Sequence, residues 1–179
     1  MKKNTFKFSY QNPPLIIAEI SANHNGSKTR FLKLIKSACE NNADLIKIQT
    51  YEPEDISVTK RNQNFKIKDG IWKGKYLTDL YKKSCTPYSW HKDAFKIAKK
   101  YKKIIFSSPF SIRAVDFLEK LRVPIYKIAS FEITDFNLIR YIASKKKPII
   151  ISTGMTTINE IKNVIKIIEK YHKKIIILH

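Results

Sequence analysis

Lys127 stands in the middle of an apolar run, PIYKIASFEITDF (residues 124–136), with Tyr126 and Ile128 beside it and Ser130 and Glu132 following where the run ends. A lysine stays buried in such a setting only with a partner. Lys47 repeats the pattern in DLIKIQT (44–50), where it shares a strand face with Gln49. If both strands line one concave surface, two ammoniums converge on it, and the hydroxyls of Ser108, Ser130 and Ser152 surround them. That set suits a small polyanion whose phosphate or carboxylate oxygens satisfy the lysines. Glu19 and Glu132 end their own apolar runs, where a carboxylate can exchange protons during addition to a carbonyl. The plainer alternative is that each lysine pairs with one of these glutamates inside the fold, or snorkels out of it.

Other reactive types read as structural. Asn23 and His24 fall in the first loop, where a histidine can simply cap the next helix. Trp90 and His91, in TPYSWH, mark a helix N-terminus with a packed aromatic. Cys39 and Cys85 form neither a disulfide framework nor a metal-binding spacing and read as small packing residues.

Six short apolar runs must position the polar groups: 15–21, 44–50, 104–110, 126–130, 148–153 and 174–179. Amphipathic helical patterns separate them, as in TRFLKLIKSACENN and INEIKNVIKIIEKYH. Regular alternation of strand and helix implies parallel strands with right-handed crossovers. One long gap follows the second strand; it holds a polar loop (51–70) and two helical pieces near 75–84 and 88–101. An insertion after a strand commonly builds a site. An open nucleotide-binding sheet would carry a glycine-rich turn after its first strand, yet that position reads SANHNG with Gly26 alone. Polar residues instead collect at the C-terminal ends of five successive strands, the pattern of a (β/α)8 barrel mouth.

The chain has 179 residues, 43% hydrophobic and 12% aromatic, enough for one domain with a real core. It shows no apolar run of membrane-span length and no signal-like start, so a cytoplasmic protein is expected. The formal charge of +20 comes from 35 basic residues, five of them arginine, spread along helix faces. Nucleic acid is therefore not the expected partner, although the field helps to draw in anions.

AEISANHNGS (18–27), IKIQTY (46–51), FSSPF (106–110), YKIASFE (126–132) and ISTGM (151–155) resemble, in order and spacing, the sialic acid synthase family of N-acetylneuraminate synthase-like enzymes. The similarity runs from about residue 14 to 179. LTDLYKKSCTPYSWH and the strand end SFE look most like the pseudaminic acid synthase branch, since the neuraminate branch usually has glycine where Phe131 stands. The resemblance implies a TIM-type (β/α)8 barrel that condenses phosphoenolpyruvate with an N-acetylated amino sugar, releasing phosphate. By motif, Lys47, Ser108, Lys127, Ser130 and Ser152 correspond to phosphoenolpyruvate-binding positions. Glu19 matches a sugar-side carboxylate and Glu132 one near the reacting carbon. Manganese or magnesium is implied as well, held by two histidines expected beyond residue 179. So are a homodimer and a C-terminal antifreeze-like domain, which is expected to be absent here. The expectation is an N-terminal portion with strands 1–6 of eight, inactive alone. A Schiff-base barrel lyase and a non-catalytic remnant binding anions or nucleic acid are the alternatives.

Overall fold

The computed structural model describes residues 11–179. In chain order the elements are β1 (Ile17–Glu19), α1 (Lys28–Glu40), β2 (Leu45–Thr50), α2 (Pro53–Ile56), α3 (Leu77–Ser84), α4 (Tyr88–Lys100) and β3 (Ile104–Pro109). There follow α5 (Ile112–Lys120), β4 (Tyr126–Ile128), α6 (Phe136–Ser144), β5 (Ile149–Ser152), α7 (Ile158–Glu169) and β6 (Ile175–Leu178). The sequence marks the helix starts. Ser27 caps α1 by accepting from the Arg30 amide, Ser111 caps α5, Asp135 caps α6, and Thr157 with Glu160 closes a capping box on α7.

The six strands form one sheet in the order β1-β2-β3-β4-β5-β6, and every neighbouring pair is parallel. Strand order never reverses, so there is no switch point of the kind that defines a doubly wound sheet. Right-handed crossovers that all step the same way put the helices on one face, which is barrel topology. The sheet is an open, incomplete barrel with β1 and β6 as its edges. Ile177 and Leu178, on β6, are 47% and 43% exposed. No described helix is long and apolar enough to cross a membrane.

Alternation along the strands separates two surfaces. On the outer side, Ile46, Ile48 and Ile105 pack on Phe31, Ile35 and Cys39 of α1 and on Ala94 and Ala98 of α4. Farther round, Tyr126, Ile128, Ile149 and Ile151 meet apolar residues of α5, α6 and α7. Lys47, Gln49, Ser108, Lys127 and Ser152 take the opposite, concave side.

Every strand is shorter than its apolar run, by one or two residues in most and by four in β1. β1 covers three residues rather than seven, and at its C-terminal end Ser21 adopts a φ of +46°, which ends the extended chain. β4 stops at Ile128, and Phe131–Thr134 winds into a 3-10 turn. The insertion after β2 contains α2, a 3-10 turn at Gln63–Phe65, an antiparallel bridge between Lys66 and Tyr76, then α3 and α4.

Candidate active site

Register decides which inward groups are neighbours. Glu19 pairs with Lys47 in the β1–β2 ladder, and Gln49 with Ser108 in the β2–β3 ladder. The pairing of Ser107 with Tyr126 puts Ser108 level with Lys127, and Lys127 pairs with Ile150 on β5. Glu19, Lys47, Gln49, Ser108, Lys127 and Ser152 thus share one inner surface near the strand C-termini.

Lys127 is 7% exposed, and no carboxylate of the described residues forms an ion pair with it. Its ammonium donates to Ser152 Oγ at 2.6 Å and to the Ile128 carbonyl at 2.8 Å. Burial lowers its pKa from 10.5 to about 8; the nearby Lys47 charge adds to the fall, and Glu19 and Glu132 oppose it. Lys47 has what Lys127 lacks, an ion pair with Glu19. That carboxylate also accepts the Ser21 amide at 2.9 Å, a contact made possible by the left-handed turn at Ser21. The plain ion-pair reading therefore holds for Lys47 and fails for Lys127.

Two more groups in the site are short of partners. Ser108 is 1% exposed, yet its Oγ has no hydrogen-bond partner, and Glu132 Oε2 is likewise buried and unpaired. Buried polar atoms without partners are uncommon, and in a site they mark where a ligand or water binds. Burial raises the Glu132 pKa, against a lowering by its own backbone amide and by the Lys127 charge. Ser130 follows β4 and lies against Gly154, where a Cβ would sit 3.0 Å from Ser130 Oγ. A side chain at 154 would need Ser130 to give by a few tenths of an ångström, so glycine eases this approach of two strand-end loops.

The first-loop histidine belongs elsewhere. His24 is fully buried, edge-on to Phe31 and Trp90; its Nδ1 accepts the Gly26 amide at 3.0 Å. It does not cap α1, a role that Ser27 fills. Trp90 does lie in the first turn of α4 and packs on Phe31, as TPYSWH suggested. Cys39 is buried in the core, and Cys85 terminates α3. Among the described residues, no group of three or more His, Cys, Asp or Glu could hold a metal ion. His179, directly after β6, has Nδ1 3.1 Å from Thr153 Oγ1, but one imidazole is not a ligand set.

The NeuB family profile matches residues 34–179. The chain belongs to the NeuB family. This NeuB-family chain is 43% identical to the pseudaminic acid synthase of Campylobacter jejuni over 163 residues, 91% of this chain and 48% of that protein. It is 42% identical to the Helicobacter pylori pseudaminic acid synthase over 155 residues, 87% of this chain and 46% of that one. The chain thus spans about half the length of these relatives. Among solved structures, the Leptospira borgpetersenii N-acetylneuraminic acid synthetase in complex with citrate superposes with a TM-score of 0.84 at 26% identity, over 100% of this chain and 58% of that one. A truncated 3-deoxy-D-arabino-heptulosonate 7-phosphate synthase from Thermotoga maritima shares the fold alone, with a TM-score of 0.60 at 16% identity over 91% of this chain and 49% of that one.

Proposed function

We propose that this chain supplies the phosphoenolpyruvate site of a nonulosonic acid synthase, most similar to the pseudaminic type. Residues 1–179 then correspond to strands 1–6 of an eight-stranded barrel. The observation that carries this reading is Lys127, an ammonium on a concave inner wall with which no carboxylate of the described residues forms an ion pair. A second ammonium and an unused serine hydroxyl stand beside it. The 42–43% identity to pseudaminic acid synthases supports the choice of substrate class.

In this reading Lys47, Ser108, Lys127, Ser130 and Ser152 take the phosphate and carboxylate oxygens. The dianion satisfies Ser108 Oγ and offsets the mutual repulsion of the two lysines. C3 of the enol then attacks the aldehyde carbon of the open-chain N-acetylated sugar, forming the new C–C bond. Positive charge develops at C2, and water adds there. Collapse of the adduct breaks the C–O bond and expels inorganic phosphate. Glu132, whose pKa is raised by burial, is suited to hold or pass the proton in these steps. Glu19 faces the sugar and restrains Lys47. The implied manganese or magnesium ion finds no ligand set among the described residues, and the steps above use none.

Calorimetric titration of the chain with phosphoenolpyruvate tests the binding claim; absence of binding refutes it. Phosphate release is then measured with an N-acetylated amino sugar and manganese, with and without the remaining barrel strands supplied as a second polypeptide. The homodimer implied by resemblance is checked by sedimentation. The Schiff-base reading gains support from the lowered Lys127 pKa, which frees the amine near neutral pH. Borohydride trapping separates the two, since the condensation leaves no covalent adduct on lysine.

A further inference from the structure

We infer that a buried hydrogen-bond chain through Ser107, Thr50 and His91, on the outer side of the sheet, positions the anion site on the inner side. The inference rests on the phosphoenolpyruvate-site reading above. All three residues are fully buried. They come from separate motifs: Thr50 lies 41 residues from His91 and 57 from Ser107 in the chain.

The direction of the chain follows from its acceptors. His91 Nδ1 lies 3.2 Å from the Pro87 carbonyl, which can only accept and so favours the tautomer with the proton on Nδ1. In that tautomer Nε2 is an acceptor, and Thr50 Oγ1, at 2.8 Å, donates to it. With its proton so used, Thr50 Oγ1 accepts from Ser107 Oγ at 2.6 Å. The competing Ile48 carbonyl is farther from Ser107 Oγ, at 3.1 Å. Burial lowers the His91 pKa to about 4, so the imidazole is neutral at working pH and the order of donors is kept.

The polar chain interrupts an otherwise apolar outer wall, formed here by Ile46, Ile48 and Ile105. The interruption falls where β2 and β3 end, and alternation turns the next residues inward: Gln49 beside Thr50, Ser108 beside Ser107. Ser108 Oγ has no partner among the described residues, so its aim depends on the backbone beside it. His91 on α4 engages Thr50 of β2, and Thr50 engages Ser107 of β3. Rotation of either strand end would break a hydrogen bond among fully buried groups. His91 and Thr50 are thus positioning residues, acting on the site through Gln49 and Ser108.

Thr50→Val keeps the shape and removes the hydroxyl, whereas Thr50→Ser keeps the hydroxyl. His91→Gln offers an amide oxygen near the Nε2 position, and Ser107→Ala is a milder cut at the far end. Phosphoenolpyruvate affinity is measured by calorimetry together with the unfolding midpoint and amide hydrogen exchange. Thr50→Val and Ser107→Ala are expected to weaken binding about tenfold or more through misplacement of the inward groups, with Thr50→Ser and His91→Gln within about threefold of the parent. A purely structural chain would lower the midpoint of the first pair and leave affinity unchanged, which overturns the inference. If the parent binds no phosphoenolpyruvate, it is the anion-site reading that falls. Exchange then decides the positioning claim. Faster exchange in Ser107→Ala confined to residues 47–50 and 106–108 upholds the chain's hold on the two strand ends, and no local change refutes it.

Discussion

Replacing Lys127 by methionine separates a binding lysine from a structural one, because the two roles predict opposite effects on stability. The Lys127 pKa falls from 10.5 to about 8 on folding, which at 1.36 kcal/mol per pH unit is about 3 kcal/mol for keeping the ammonium charged in the ligand-free protein. Below pH 8 the group is charged in both folded and unfolded chains, and the folded state bears the whole cost. Between pH 8 and 10.5 the unfolded chain holds more protons, so stability rises with pH across that window. Lys127→Met removes both the cost and this rise. It also strands the Ser152 hydroxyl and the Ile128 carbonyl, each at about 1 kcal/mol. The net expectation is unchanged stability, or a gain of about 1 kcal/mol, at pH 7.5. Phosphoenolpyruvate binding should fall by about 2–4 kcal/mol, roughly 30-fold to 1000-fold, for loss of a charge-assisted contact in a buried site. Calorimetry gives the affinity, and urea unfolding at pH 7.5 and pH 10 gives the stability. Affinity within twofold of the parent would remove Lys127 from the site. A variant destabilised by about 3 kcal/mol would make it a structural cation, as the broken half of a buried pair is.

Four shorter tests follow the same geometry. Phosphoenolpyruvate affinity should drop about tenfold per pH unit above pH 8, since the complex must recharge Lys127; titrations from pH 7 to 10 check it, and a flat profile contradicts it. Glu132→Gln should bind phosphoenolpyruvate normally while phosphate release in the completed barrel falls about a hundredfold; equal losses of both would return Glu132 to a pairing role. Glu19→Gln frees Lys47 from its ion pair, so phosphoenolpyruvate should bind as tightly or more tightly while sugar-dependent turnover drops; weaker binding would count against a sugar-side Glu19. Gly154→Ala puts a Cβ 3.0 Å from Ser130 Oγ, and the displaced serine should cost about tenfold in affinity; affinity equal to the parent would take Ser130 out of the anion site.

Elements were legible in the chain because each depends on short-range pattern. Apolar runs with period two and helical stripes such as Phe31, Ile35 and Cys39 mark strands and helices wherever they pack. Serial βα units then leave few topologies, and the lone Gly26 after β1 argued against the nucleotide-binding one. The inward aim of Lys47 with Gln49 followed from alternation, and so did the gathering of serines at strand ends. Pairings across the sheet are different, because they depend on register between strands far apart in sequence. Either lysine could have taken either glutamate. The sheet gives Glu19 to Lys47 and leaves Lys127 with a hydroxyl and a carbonyl. Ser21 closes the first apolar run, yet its positive φ turns its amide onto the Glu19 carboxylate. His91 read as part of a helix start, and it is, but no local pattern shows that its ring reaches Thr50. The spacing of Ser130 and Gly154 shows neither that the two loops touch nor that a methyl group there would crowd the Ser130 hydroxyl. Local pattern sets which way a side chain points; only the packed sheet decides what it meets there.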